Sequence, residues 1–407
     1  MFKRVFLCLI VATCVARSVA AQEIESQTNA HSYGYSPIDY SAVIEQLNRA
    51  SQPTAWQRFA DWIGKRQCAS LTDGRKMAVR GNAGIGYTQE TNLMFAASAF
   101  GFYSLNSENQ HLPYSYTSLI GAMSVNGSYR LLADNNLALT THDNLSVTLG
   151  VGSMPVKFWG LGYHAAASGA VSKYLRNDFF TDVEYRRRIV GSFSLGAELD
   201  FRYASADDVQ PLAREYLQQA GINEYSFTTT GIGLSARWDG RKMRNNRTQG
   251  FYLQLSGAVH PQLLGSHDDT LWHVEATANY YQPLWMGGEL ALDMYADAWS
   301  WNTPWLFWAK VGGENRMRGY YYGRYTDRKM ATVQMELRQN IYKIISGAVW
   351  VGAGSVFSSH KLFAVDEILP NYGVGLRVAV AENLLLRVDY GFGRNSHGLI
   401  INVNEAF

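Results

Sequence analysis

From Met77 onward, hydrophobic and polar residues alternate with a period of two. Between Phe193 and Arg202, for example, apolar residues occupy one face of an extended chain and polar residues occupy the other. The same alternation recurs over 251–259, 290–297, 332–338 and 384–390. Because successive side chains of a β-strand point to opposite faces, each segment is predicted to be a strand with one apolar and one polar face.

Over the whole region this pattern predicts an all-β protein with sixteen strands. They are 77–88, 91–104, 114–131, 135–141, 143–153, 178–190, 191–205, 226–240, 248–261, 269–282, 286–299, 329–342, 345–357, 371–381, 383–394 and 397–407. A soluble β-sandwich would show the same alternation. Many of the segments, however, are longer than typical sandwich strands, and they suit tilted strands that cross a membrane.

The predicted connections differ in length between the two ends of the strands. The long ones, 154–177, 206–225, 300–328 and 358–370, all follow odd-numbered strands and therefore share one rim. Most connections on the other rim are a few residues long. Long outer loops and short periplasmic turns are typical of outer-membrane barrels. We therefore predict a transmembrane antiparallel β-barrel of about sixteen strands over residues 77–407.

The first residues of the chain have the pattern of an export signal. Lys3 and Arg4 precede an apolar run that is too short to span a membrane, and small residues end at Ala21. Residues 1–21 are therefore predicted to be a secretory signal peptide. Removing Lys3, Arg4 and Arg17 with it reduces the 36 basic residues to 33, against 34 acidic ones. This near balance gives no indication of nucleic-acid binding.

Residues 22–76 are the part of the chain with a helical period. Apolar residues recur on one face over 37–50 and again over 55–66, which predicts two short amphipathic helices. This short helical N-terminal extension is either a tether that folds against its neighbour or a periplasmic or lumenal plug of the barrel. Both interpretations stay open on the sequence.

Composition agrees with a barrel. Charged residues make up 17% of the chain and aromatic residues 13%, a mixture that favours strands and turns. Four tryptophans lie around the outer end of the eleventh strand: Trp299, Trp301, Trp305 and Trp308. They predict either an aromatic girdle at the membrane surface or packing of the following loop onto the rim.

The segment Gly312–Arg328 differs from every other connection. Its glycines prevent a stable helix, and it combines four arginines with four tyrosines but almost no aliphatic residues. Such a segment cannot form a core of its own. A long loop of this kind in a compact protein indicates a function.

This segment resembles the sixth-loop signature of the bacterial surface antigen superfamily, the BamA- and TamA-like outer-membrane assembly and two-partner-secretion barrels. The resemblance continues through Glu336-Leu337-Arg338, Gly352–Phe357, Tyr372–Arg377, Arg387–Gly393 and Asn404–Phe407, with weaker matches at Phe158–Gly162, Trp238–Arg241 and Gly250. It covers most of residues 77–407. The family's assembly members carry periplasmic polypeptide-transport modules, and 22–76 is too short for one. The chain therefore resembles a subgroup that lacks them.

In this family the loop folds back into the barrel, where its arginine meets acidic side chains on the inner wall. Carried over, the resemblance implies a loop lock formed by Arg318, Gly319 and Tyr320. Its expected acidic partner is Glu336 on the twelfth strand. The alternation independently places Glu336 on the polar face, hence in the lumen.

The expected lock departs from the family at its second acid. The thirteenth strand usually supplies this residue, but the matching position here is Gly352. Asp293 and Asp297, on the polar face of the eleventh strand, are candidate lumenal partners instead. The final Phe407, which follows an amphipathic strand, resembles the C-terminal sorting signal of outer-membrane barrels.

The resemblance implies a protein of the bacterial outer membrane, surrounded by its lipids. It implies insertion, assembly or translocation of outer-membrane or secreted proteins, and the barrel assembly machinery as partner during the chain's own biogenesis. The alternative is a passive or gated pore for small solutes or lipids, because a sixteen-strand barrel is wide enough for a channel unless plugged. The sequence has no Gly-x-Ser-x-Gly elbow and no metal-spaced histidine pair. Neither catalysis nor a metal or other cofactor is therefore expected.

Overall fold

The structure is a computed structural model. It describes residues 77–105, 114–244, 247–342, 344–358, 365–381, 384–403 and 405–407. The predicted signal peptide 1–21 and the predicted helical extension 22–76 lie outside the described residues, so both stay predictions.

In the part of the chain that the structure describes, sixteen long strands form one antiparallel sheet. In chain order, β1 to β16 are Met77–Thr88, Asn92–Tyr103, Ser115–Ser124, Tyr129–Ala138, Asp143–Phe158, Ser172–Val190, Phe193–Asp207, Ser226–Asp239, Arg247–His260, Leu271–Pro283, Gly288–Trp299, Lys329–Tyr342, Ile345–Phe357, Leu369–Ala381, Leu384–Gly393 and Ser396–Val403. Each strand pairs with the next one along the chain. The short strand Lys242–Arg244 continues β8 along β9. This arrangement confirms the predicted all-β barrel and its strand number.

The first and last strands lie side by side and nearly close the barrel. In the described part of the chain, no ladder of backbone hydrogen bonds joins β1 to β16. Gln89, in the turn after β1, donates a hydrogen bond from Nε2 to the carbonyl oxygen of His397 on β16, at 3.0 Å. We call the boundary between β1 and β16 the seam.

The side chains of the barrel are arranged inside out relative to a soluble protein. On β9, Phe251, Leu253 and Leu255 are exposed, whereas Tyr252 and Gln254 are buried. The apolar face therefore points outward and the polar face lines the lumen. A soluble sandwich would bury its apolar faces against each other, so this orientation excludes the sandwich alternative.

The predicted boundary between the third and fourth strands is wrong. The predicted strand 114–131 ends at Ser124, and β4 begins already at Tyr129. Between them, Gly127 has a φ of 91°, and the Ser128 N–H donates to Asn126 Oδ1 at 3.0 Å. An Asn-Gly pair is a strong hairpin-turn signal. Alternation continues on both sides of this turn and concealed it.

The long outer connections hold the helical turns of the structure. Helices α1, Gly162–Ala167, and α2, Pro211–Gln219, lie in the connections after β5 and β7. Among the described residues, no helix is long and apolar enough to cross a membrane. β5 and β6 extend beyond their predicted ends, so the predicted connection 154–177 shortens to 159–171.

The tryptophans near the end of β11 do not form a girdle. Trp299, Trp305 and Trp308 are buried in a cluster with Phe158 and other residues of the strand ends and outer connections, and Trp301 is 63% exposed. The girdle interpretation is therefore wrong, and packing of the loop is what the structure contains. The physical reason is the path of the loop, which turns inward and carries its aromatic rings onto the lumenal wall.

Candidate functional site in the barrel lumen

The connection between β11 and β12, residues 300–328, folds into the lumen. We call it the inner loop. It contains a two-stranded ladder, Ala309–Val311 with Tyr325–Asp327. Several of its apolar side chains pack against residues of the barrel wall in a second buried cluster, which includes Val311, Met317, Tyr320, Tyr325, Tyr295, Met330, Val356 and Leu369. The loop, which has few aliphatic residues, thus gains a core by using the inner wall of the barrel.

Arg318 is the most deeply enclosed charge of the inner loop. Its side chain is wholly buried, Nη1 donates to Asp389 Oδ2 at 2.7 Å, and Nη2 donates to Glu336. The guanidinium carbon lies 3.7 Å from the centre of the Trp350 ring. Two charge-assisted hydrogen bonds and a stacked aromatic ring fix both the position and the plane of the guanidinium.

The acids around Arg318 belong to a larger ionic network. Glu336 Oε1 also accepts from Arg338 Nε at 2.9 Å and from Arg377 Nη2 at 3.0 Å. Arg377 in turn pairs with Asp389 and, through Nε at 3.1 Å, with Glu405. Each carboxylate meets more than one guanidinium, so the burial of these charges is compensated within the network.

A second arginine anchors the preceding part of the inner loop. Arg316 meets Asp293 through two bonds, Nε to Oδ2 at 2.8 Å and Nη2 to Oδ1 at 2.9 Å. Its guanidinium carbon lies 4.0 Å from the centre of the Tyr295 ring. Of the two candidate partners predicted on β11, Asp293 therefore contacts the loop through Arg316. Asp297 pairs instead with His273 Nε2, at 3.0 Å.

The main chain of the inner loop touches the wall at Gly319. This residue has a φ of 104°, which favours glycine, and a Cβ there would lie 2.5 Å from the Gly391 carbonyl carbon. The neighbouring Tyr320 donates its hydroxyl to the Pro370 carbonyl at 2.7 Å and accepts from the Arg394 N–H at 2.6 Å. The three inner-loop residues of the predicted lock thus contact the wall in different ways: Arg318 by ion pairs, Gly319 by close backbone packing, and Tyr320 by hydrogen bonds of its hydroxyl.

The extracellular part of the inner loop carries a half-buried lysine. Lys310 Nζ donates to the carbonyl oxygens of Leu306, at 3.1 Å, and Trp308, at 3.0 Å. Burial lowers the pKa of Lys310 to about 7. A lumenal cavity of about 110 Å³ lies beside Lys310 and is lined by other charged residues such as Arg176 and Asp178.

Residues 73–398 match the family model of the Omp85 superfamily domain. The chain belongs to the Omp85 superfamily. A comparison with curated proteins finds no match. Membership and fold together make this chain a β-barrel of the bacterial outer membrane.

Solved structures share the fold at low sequence identity. BamA from Haemophilus ducreyi lacking POTRA domains 1–3 superimposes with a TM-score of 0.56 at 12% identity, covering 81% of this chain and 70% of that one. CdiB from Acinetobacter baumannii gives a TM-score of 0.53 at 14% identity, covering 81% of this chain and 60% of that one. At such identities the similarity concerns the architecture of the barrel.

Three residues of this Omp85 barrel take part in the site without having been predicted to do so: Asp389 and Arg387 on the wall and Arg316 on the inner loop. Asp389 takes the place of the second acid. Arg387 Nη2 donates to the Glu314 carbonyl at 3.1 Å and to Asn315 Oδ1 at 3.2 Å, and Arg316 binds Asp293. The signal for the first two was available, because Arg387 and Asp389 lie two apart on the polar face of one strand.

Phe407, the predicted sorting signal, also contacts the ionic network. Its carbonyl oxygen accepts from Arg338 Nη2 at 3.0 Å, and the guanidinium carbon of Arg338 lies 5.3 Å from the ring centre. The sorting role itself stays a prediction. Among the described residues there is no group of histidine, cysteine and acidic side chains that could hold a metal ion.

Proposed function

We propose that this Omp85 barrel inserts, assembles or translocates proteins at the outer membrane. The observation that carries the proposal is the seam, where β1 and β16 lie side by side without a ladder among the described residues. An unpaired strand edge exposes backbone N–H and C=O groups that can pair with another chain. In a membrane, such an edge offers an incoming strand the hydrogen bonds that lipid cannot supply.

The filled lumen favours this proposal over a permanently open pore. The inner loop packs through the lumen and binds the wall through Arg316, Arg318 and Tyr320. A solute route through the middle would require this buried and ionically paired loop to leave. The proposed role is non-enzymatic, because the charged groups described above bind one another.

Depletion of the chain, followed by measurement of the outer-membrane proteome, tests the proposal. Complementation would use wild type and a variant with Gln89→Cys and His397→Cys, two positions already joined by a hydrogen bond across the seam. We expect particular outer-membrane or secreted proteins to fall on depletion. Wild type should restore them, and so should the double-cysteine variant while its thiols are reduced. The same variant with a disulfide across the seam should not.

An outer-membrane and secreted proteome that is unchanged by depletion would contradict the proposal. Planar-bilayer recordings distinguish the alternative. A steady solute conductance in wild type, with an unchanged proteome, would favour the passive or gated pore.

The lock is part of the same proposal. We infer that Arg318, Gly319, Tyr320 and Glu336 hold the inner loop against the wall while the barrel works. The barrel assembly machinery, as partner in biogenesis, and Phe407, as sorting signal, stay predictions from the resemblance.

A further inference from the structure

We propose that Glu90, in the turn between β1 and β2, is a positioning residue that joins the extracellular end of the seam to the inner loop. The use that the protein makes of this link rests on the proposed function. The link itself is argued from contacts on the two sides of the seam. In these contacts the segment 319–324 of the inner loop bridges the first and last hairpins of the barrel.

On the β1 side, the inner loop is bound through Glu90. The N–H of Tyr322 donates to Glu90 Oε1 at 3.0 Å, although the two residues are 232 positions apart in the chain. The turn that carries Glu90 is itself fixed, because Asn126 Nδ2 donates to the Glu90 carbonyl at 3.0 Å. Glu90 therefore presents a carboxylate from an anchored turn to the backbone of the loop.

On the β16 side, the same stretch of loop is bound through the last hairpin. Arg324 Nη1 donates to the Asn395 carbonyl at 2.8 Å. Ser396 Oγ donates to the Gly319 carbonyl at 2.7 Å. The Asn395 carbonyl and the Ser396 hydroxyl lie at the extracellular end of β15 and β16, beside the turn that carries Glu90.

These contacts matter because they add to what the described residues show closing the seam. With no ladder between β1 and β16 among the described residues, Gln89 to His397 is a direct hydrogen bond across its extracellular end. The loop segment adds an indirect link on each side. Because Arg318 and Tyr320 fix this segment to the wall, the lock and the closure of the seam are mechanically connected.

Charge strengthens the contact that Glu90 makes. A carboxylate that accepts from a backbone N–H forms a charge-assisted bond, which is shorter and stronger than a neutral one. The nearby Lys157 adds a favourable positive charge, whereas burial raises the pKa of Glu90. Removal of the acceptor takes this hydrogen bond from the Tyr322 N–H in a partly buried place and so weakens the contact between the turn and the inner loop.

Distance measurement across the seam tests the proposal on the purified full chain. Spin labels would be placed at Tyr87→Cys on β1 and Leu399→Cys on β16, two positions that are exposed. The labelled background carries Cys68→Ser, because Cys68 is the one cysteine of the sequence outside the predicted signal peptide 1–21 and would also take a label. We compare Glu90→Ala, which removes the acceptor, with Glu90→Gln, which keeps an amide oxygen. A matched control is Glu215→Ala on α2, an exposed acid that accepts a hydrogen bond from Gln219 Nε2, four residues away, at 3.3 Å.

We expect Glu90→Ala to lengthen the mean label distance by at least about one strand spacing, ~5 Å. Glu90→Gln and Glu215→Ala should keep the wild-type distance. The rescue by glutamine separates a positioning role from a loss of general stability. An unchanged distance in Glu90→Ala would overturn the proposal, and so would an equal increase in Glu215→Ala.

A second variant covers the case in which Glu90→Ala does not fold, as judged by its electrophoretic migration with and without heating. Arg324→Ala removes the contact on the opposite side of the seam and leaves the β1–β2 turn untouched. It should lengthen the same distance, and an unchanged distance would overturn the proposal. The distance measurement uses the purified chain without any protein substrate. Its outcome therefore does not depend on whether depletion changes the outer-membrane proteome. Failure of the proposed function and failure of the inference are therefore distinguishable.

Discussion

The guanidinium of Arg318 and the carboxylate of Glu336 are in contact, and the side chains of both residues are wholly buried. One belongs to the inner loop and the other to β12, so the pair ties a connection to the wall that it lies against. A buried ion pair contributes little net stability compared with apolar packing, but breaking one side is costly. The pair is therefore better suited to specifying one position of the loop than to stabilising the barrel.

Replacement of Arg318 tests this interpretation. Arg318→Ala leaves Glu336 and Asp389 without one of their cations, at a cost of roughly 3–5 kcal/mol to the docked loop. We expect the inner loop to become sensitive to protease while the barrel stays folded. Arg318→Lys keeps the charge but loses the planar fork, and we expect an intermediate result. Measurement is by limited proteolysis with mass spectrometry of the cleavage sites.

Arg187→Ala is the matched control for that prediction. Its side chain is 61% exposed and pairs with Asp143 at 3.3 Å. An exposed ion pair contributes about 0–1 kcal/mol, so cleavage should match wild type. Equal protection of the loop in Arg318→Ala and in wild type would contradict the role of the lock.

Non-additivity is expected between Arg318 and Glu336. Glu336→Gln removes the acid that Arg318, Arg338 and Arg377 share. In the double variant with Arg318→Ala, the loss of docking free energy should be smaller than the sum of the two single losses. The difference, the interaction energy, should be about 0.5–3 kcal/mol. The loop's opening free energy, from native-state proteolysis rates, supplies the four corners of the cycle.

Asp293→Asn gives the contrasting cycle with Arg318→Ala. Asp293 pairs with Arg316 rather than with Arg318. The free-energy losses of Asp293→Asn and Arg318→Ala should therefore be closer to additive than those of Glu336→Gln and Arg318→Ala. Equal coupling in the two cycles would mean that the inner loop behaves as one unit without separate anchors.

Sequence periodicity was sufficient for the barrel but insufficient for the partners of the loop. The period of two places Glu336, Asp293 and Asp389 on the lumenal face, because that property depends on neighbouring residues alone. Which lumenal acid meets which arginine depends on the height of each strand in the barrel and on the path of the loop. Both are long-range properties, and a single sequence does not encode them in a local pattern.

The misassigned strand boundary at Asn126 and Gly127 has a different cause. A turn signal was present there, but apolar alternation on both sides suggested one long strand. The girdle interpretation of the tryptophans near β11 was wrong for a third reason. Their number near a strand end is compatible with a girdle and with a packed loop alike, and the inward path of the loop decides between them.

The inner loop lies so close to β15 that we expect a side chain at Gly391 to displace it. A Cβ at Gly391 would lie 2.2 Å from the Arg318 carbonyl oxygen and 2.8 Å from the Gly319 nitrogen, which are backbone atoms that cannot rotate away. Gly391→Ala should therefore displace the loop without breaking the β15 ladder. Gly121→Ala is the control, because its Cβ would meet only Leu131 Cδ1 at 3.8 Å. Tryptic cleavage within 312–328 should increase in the first variant and not in the second.

Lys310 predicts a pH dependence of the inner loop. Burial lowers its pKa from 10.5 to about 7, so between these values the half-buried lysine is neutral while an exposed one is charged. In this window the undocked state binds more protons than the docked state, so docking strengthens as pH rises from about 7 towards 10.5 and weakens as pH falls. Lys310→Met has no proton to exchange and should lose this component. Proteinase K digestion at several pH values, corrected for the enzyme's own profile with an unfolded substrate, measures the difference. Identical pH profiles for wild type and Lys310→Met would show that the lysine stays charged when the loop is docked.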